Sequence, residues 1–144
     1  MNIVEIEEFQ VIGIAARTSN AREMTAGGVI PKLWANPPQP PHSGIIALYT
    51  DYESDEHGDY TFLLGVRGAP GSAVPGGMVR KTIPAGRYAV FTSERGPVQK
   101  VVIETWQRIW SELPSRSFVA DFEVYDQRAA DPGDAVVEIY VGVK

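Results

Sequence analysis

The residues best suited to chemistry lie together near the C-terminal end of the chain. Asp121-Phe122-Glu123-Val124-Tyr125-Asp126 is a short aromatic and apolar run with a carboxylate at its centre. A strand alternates its faces, so Phe118, Ala120, Phe122 and Val124 fall on one side and Val119, Asp121, Glu123 and Tyr125 on the other. The first side is core. The second is either the wet face of an antiparallel sheet or the lining of a cavity in which Glu123 stands as an anion beside a tyrosine. Other reactive groups are scarce. The absence of cysteine excludes disulfides, thiolate catalysis and Cys-based zinc sites. The two histidines, His42 in a proline-rich loop and His57 in an acidic one, lack the spacing of a metal site or a Ser-His-Asp arrangement and are read as solvated. No metal and no cofactor are expected.

Charge and composition narrow the partners. A net charge of −5 with 13 scattered Lys and Arg residues argues against direct nucleic-acid binding and makes cations the natural ligands. At 44% hydrophobic and 22% charged residues, the 144-residue chain reads as one globular domain over 1–144. No run approaches a membrane span and the N-terminus is acidic, unlike a signal peptide, so a cytoplasmic location without a membrane partner is expected.

The elements that must position Glu123 follow from periodicity. Residues 3–16 read as one extended run, apolar on both faces and therefore central. Asn20 with Glu23 three residues later resembles a capping box that opens a helix running to Trp34-Ala35, weakened at Gly27-Gly28 and stopped by the prolines that follow. Ile45–Thr50 and Tyr60–Val66 form a hairpin across a polar turn, and the Gly/Pro-rich stretch 68–77 is a linker. In the second half, 78–83 and 87–92 are strands. Gly96-Pro97 opens a helix whose Val98, Val102, Trp106, Ile109 and Leu113 share one face. Strands at 118–125 and 135–143 close the chain.

The two halves, about 1–67 and 77–144, match one another. Thr18-Ser19 corresponds to Thr92-Ser93, Leu33-Trp34 to Ile109-Trp110, Leu48-Tyr49 to Val124-Tyr125, Gly58-Asp59 to Gly133-Asp134 and Gly65-Val66 to Gly142-Val143, all at offsets of roughly 74–77 residues. The implied fold is α+β: duplicated β-α-β-β units around a pseudo-twofold axis, one antiparallel sheet with two helices packed on it, and a cleft at the axis. There the halves differ, because Glu123 corresponds to Ala47 and Trp106 to Ile30. A symmetric scaffold made acidic and aromatic on one side suits an aromatic cation.

In its order of motifs the chain resembles the GyrI-like effector-binding domain family, of the integron-associated effector-binding type and related to the effector domains of AraC-type and MerR-type multidrug-responsive regulators. The resemblance spans essentially the whole chain. It is carried by residues 49–55 and 58–65, Ile-Pro-Ala-Gly-Arg-Tyr-Ala-Val-Phe (83–91), Trp-Gln-Arg-Ile-Trp (106–110), Asp-Phe-Glu-Val-Tyr-Asp (121–126) and Val-Glu-Ile-Tyr-Val (137–141). It implies a GyrI-like, SOUL-type fold with a pocket for bulky, lipophilic, often cationic compounds and Glu123 as counter-ion. Trp106, Tyr88, Tyr125 and Tyr49 are the implied aromatic walls, whereas Trp110 and Trp34 are assigned to holding their helices on the sheet. Burial alone would raise the pKa of Glu123, so a phenol hydrogen bond is needed to keep it charged. Tyr125 lies on the same face two residues along, and a tyrosine from another strand is the alternative donor.

The leading expectation is therefore a non-enzymatic, stand-alone binding protein for lipophilic, cationic small molecules. One alternative is a hydrolase of reactive electrophiles in which Glu123 and a tyrosine activate water. A weaker one is a protein that masks a larger DNA-associated enzyme through the acidic loop 51–59. No helix-turn-helix is present, and the sequence names no protein partner.

Overall fold

The computed structural model describes residues 2–35, 44–55, 57–69, 71, 73–113 and 115–144. His42 and the proline-rich loop around it lie outside the described residues. Among the described residues, eight strands form one antiparallel sheet: β1 (Asn2–Ile6), β2 (Phe9–Ser19), β3 (Ile45–Thr50), β4 (Asp59–Gly68), β5 (Val79–Ile83), β6 (Gly86–Thr92), β7 (Arg116–Tyr125) and β8 (Glu138–Val143). Among the same residues three helices accompany them: α1 (Asn20–Glu23), α2 (Ile30–Trp34) and α3 (Val98–Glu112). A short 3-10 helix occupies Gln127–Ala129.

The strand order β1-β6-β8-β7-β3-β4-β2-β5 reads the same from either end once the halves are exchanged. β7 and β3 pair at the centre, flanked by β8 and β4, then β6 and β2. The outermost strands cross over, so that β1 of the first half pairs β6 of the second and β5 pairs β2. The apolar run 3–16 is consequently two strands and not a single central one, broken at Glu7-Glu8 and sent to opposite ends of the sheet.

Two residues separate β1 from β2, and two, Pro84 and Ala85, separate β5 from β6. Such short links join strands from opposite ends of the sheet, so the sheet must curl until its ends meet. The interior of the curl is a core to which every strand contributes: Val4, Val11, Ile46, Leu63, Ile83, Tyr88, Phe122 and Tyr140 among them. Gly13 and Gly65 face each other across the β2–β4 pair, where a Cβ on Gly13 would land on the Leu64 carbonyl.

The other face carries the helices. The five α3 residues expected on one face all pack there, with Ile109 and Leu113 buried against Phe91, Val137 and Ile139. Each fully buried side chain of this size contributes roughly 1.5–3 kcal/mol, which a helix of 15 residues needs because it is marginal alone. In the first half the expected single helix is two. Ser19 caps α1 by accepting from the Arg22 amide. Glu23 turns away from that cap and accepts from the amides of Val29 and Ile30, at 3.0 and 2.9 Å, so it caps α2 instead. The Gly27-Gly28 break makes that return possible, with Gly28 passing against the Glu23 side chain.

Candidate functional site

The site is built where β7 meets β3. Their register pairs Ala47 with Glu123, the same two positions that the internal repeat makes equivalent. In an antiparallel pair, equivalent residues stand opposite one another only at the symmetry axis, so Glu123 lies on the pseudo-twofold. With Ala47 opposite, no second carboxylate competes for the space.

Glu123 is 2% exposed and every partner in its shell donates to it. Tyr125 Oη donates to Oε1 at 2.6 Å; Trp106 Nε1 and Tyr49 Oη donate to Oε2 at 2.6 and 3.0 Å. Both anticipated phenol donors are thus present, the same-strand Tyr125 and the cross-strand Tyr49, and an indole is added from α3. Burial pushes the carboxyl pKa above its ordinary value, while the bonds from Tyr125, Trp106 and Tyr49 pull against that rise. Burial and the neighbouring carboxylate drive both phenols far up, so Tyr49 and Tyr125 remain donors throughout the neutral range.

Glu123, Tyr49 and Tyr125 line a cavity of about 1450 Å³ between α2 and the first turns of α3. Ile30, Pro31 and Trp34 form one wall, Val98, Val102 and Ile103 the other, and Asp126 to Ala130 a third. Trp34 meets Tyr125 edge to face at 4.7 Å. The charged lining residues are Glu23, Glu123, Asp126 and Arg128, and Arg128 is engaged by Asp126 and Glu138 at 2.8 and 2.9 Å. The cavity is therefore apolar with a net negative lining.

Several sequence assignments change. Tyr88 is not at the site: it faces the interior of the curled sheet, packs edge to face on Phe122 and donates to the Pro84 carbonyl at 2.8 Å, its phenol pushed up to about 12 by burial. β6 brings Ala89 and Phe91, not Tyr88, to the helix face. Trp106 stands behind Glu123 rather than in the cavity wall. Trp34, assigned to anchoring its helix, is a wall residue. Trp110, given the same task, is half exposed and borders a second cavity of about 520 Å³ at the C-terminal end of α3.

Phe118 also departs from strict alternation. It adopts φ 54° at an irregularity between Arg116 and Asp121, which turns its ring toward Tyr52 and away from the inner core. On the face carrying Glu123, Asp121, two residues before it, is fully enclosed as well, while Val119 beyond the irregularity is exposed. Asp121 accepts from Arg116 at 2.8 Å, from the Gly142 amide at 2.9 Å and from Tyr52. Arg116 in turn lies over Phe118 and near the Trp106 ring, so this ion pair braces the indole that holds Glu123. Only the bulge and the long-range contact with Tyr52 reveal the role of Asp121, and neither leaves a local signal in the sequence.

Comparison with known proteins agrees with this architecture. The Cass2 family, integron-associated effector binding protein, matches residues 2–143. The chain belongs to this family. Like its members it is an effector-binding protein. YobU of Bacillus subtilis (strain 168) is 40% identical over 155 aligned residues, covering 99% of this chain and 97% of YobU. The transcriptional regulator BrlR of Pseudomonas aeruginosa is 32% identical across 98% of this chain, which spans only 54% of that regulator. Among solved structures, an integron cassette protein from the mobile metagenome of Vibrio cholerae superposes with a TM-score of 0.77 at 31% identity, covering 99% of this chain and 95% of the other. SAV2435, solved with bound tetraphenylphosphonium, shares the fold with a TM-score of 0.73 at 22% identity, with coverage of 99% and 93%. Among the described residues, no helix is long and apolar enough to cross a membrane, and no group of side chains is arranged for a metal ion.

Proposed function

We propose that this effector-binding protein takes lipophilic aromatic cations into the cavity at the pseudo-twofold axis, with Glu123 as counter-ion and Tyr49, Tyr125 and Trp34 as aromatic walls. The observation that carries the reading is the environment of Glu123: a buried carboxylate held by three neutral donors, with no cationic side chain paired to it among the described residues. Uncompensated charge in a site of low effective dielectric attracts a delocalised cation strongly, and ring faces add roughly 0.5–2 kcal/mol each. The tetraphenylphosphonium bound by SAV2435 is a compound of this class.

The same geometry leaves limited room for the hydrolase alternative. Three donors fill three of the about four lone-pair sites of the Glu123 carboxylate, so a general base would act through the one site left on Oε1. In the acidic loop, Asp51 pairs with Lys81 at 2.7 Å and Tyr52 points inward to Asp121, while Glu53 and Asp59 are exposed.

Titration of wild type and Glu123→Gln with tetraphenylphosphonium, followed by quenching of tryptophan fluorescence, tests the proposal. The expected result is micromolar binding by wild type and a loss of tenfold or more in the variant, about 1.4 kcal/mol. Equal affinity in both proteins would remove the counter-ion role. Turnover of an electrophile without cation binding would favour the hydrolase.

A further inference from the structure

The cavity holds a second carboxylate that the counter-ion role of Glu123 leaves unused. Glu23 reaches the lining from the opposite half of the fold. Its surroundings parallel those of Glu123: three neutral donors, the Thr18 hydroxyl and the amides of Val29 and Ile30, and no cationic side chain paired with it among the described residues. The two carboxylates sit at opposite ends of α2. Glu23 caps its start, while Trp34 at its finish touches Tyr125, which in turn donates to Glu123. Four helical steps from Ile30 to Trp34 advance about 6 Å, so the two charges are separated by an apolar wall of roughly that length or more. Tyr60, packed beside Tyr49, feels both, and its phenol is raised by burial first and then by Glu23 and Glu123. The cavity of about 1450 Å³ also exceeds the roughly 300–1,000 Å³ that suffices for a drug-sized ligand. Asp126, the remaining acidic group of the lining, is already neutralised by Arg128.

We infer that the preferred ligands of this cavity are dications, two positive centres joined by an apolar or aromatic spacer, one centre at Glu123 and the other at Glu23. The inference rests on the proposed cation-binding role of the cavity and adds a charge count and a length to it. Glu23 is the weaker of the two anchors, because it is less buried than Glu123 and the amides it caps offset part of its field.

The probes are bis-quinolinium compounds with polymethylene spacers of about 3 to 12 carbons, each matched by an N-alkylquinolinium monocation of equal chain length. They are titrated against wild type, Glu23→Gln and Glu123→Gln. In wild type, affinity should peak at one spacer length, with the dication at least about tenfold tighter than its matched monocation. Glu23→Gln should erase most of that advantage, measured as the ratio of dication to monocation affinity within the variant; Glu123→Gln should weaken both. A dication no tighter than its monocation at every spacer length in wild type would overturn the inference. So would an advantage that survives Glu23→Gln. If that variant loses the α2 cap and binds neither probe, the wild-type spacer series decides alone. Failure of the underlying cation reading looks different: neither probe binds wild type, or monocation binding ignores Glu123→Gln.

Discussion

Replacing Tyr125 by Phe isolates the electrostatics of Glu123. The substitution removes the hydroxyl that donates to Oε1 at 2.6 Å and keeps the ring that meets Trp34. A hydrogen bond to a charged group is worth about 1.5–3 kcal/mol, and one pKa unit corresponds to about 1.4 kcal/mol. Because this bond favours the ionised carboxylate against its burial, its loss should raise the Glu123 pKa further. Only ionised Glu123 pairs with a cation. The assay is tetraphenylphosphonium affinity measured between about pH 4.5 and 9 at constant ionic strength. Wild-type affinity should fall as pH drops through the already raised Glu123 pKa, and the same fall in Tyr125→Phe should be centred at higher pH. An unchanged midpoint, or one moved toward acid, would refute the reasoning, since either would mean that Tyr125 does not hold the charge.

Stability should record the same group. A carboxyl whose pKa is raised on folding contributes stability that is complete below its unfolded pKa and is lost as pH rises through the folded one. The Tm of Glu123→Gln relative to wild type should therefore become more favourable from pH 5 to pH 8, as read by thermal denaturation; a difference independent of pH would contradict the raised pKa. Asp121→Asn breaks the buried ion pair with Arg116 and should cost about 3–5 kcal/mol. At roughly 2–4 °C per kcal/mol for a domain of this size, Tm should fall by about 6–20 °C, whereas a shift under 2 °C would deny the pair its bracing role. Gly13→Ala pushes a Cβ into the Leu64 carbonyl across the β2–β4 pair and should destabilise by about 1–3 kcal/mol or more, checked by urea unfolding; a neutral result would mean that the strands separate at no cost.

Much of this architecture was legible because the duplication left regular marks. Dipeptides at a near-constant offset located the axis, and the register of β3 against β7 places the Ala47 and Glu123 of that alignment opposite each other. The α3 stripe was readable for the same reason that it packs, since 3.6-residue periodicity is imposed by one buried face. What escaped notice has physical causes. Both faces of the sheet are buried, so two-residue alternation could not tell the helix face from the inner core, and Tyr88 was assigned to the wrong one. The exchange of β1 and β5 hides in an apolar run whose only break is Glu7-Glu8, a pair without turn chemistry. Phe118 takes a left-handed backbone that its residue type does not advertise, which concealed both the bulge and the buried Asp121. Glu23 was recognised as a capping residue, but two glycines let it cap the next helix instead of its own.

Pairing of a cation with Glu123 inside the axial cavity would be seen in a crystal structure of the protein with tetraphenylphosphonium. The phosphorus should lie within roughly 4–6 Å of the Glu123 carboxylate, the range in which an opposite charge stabilises a carboxylate, with phenyl rings against Tyr49, Tyr125 and Trp34. Density for the cation elsewhere, such as beside Trp110 and Arg116 in the smaller cavity, with the axial cavity empty, would contradict it.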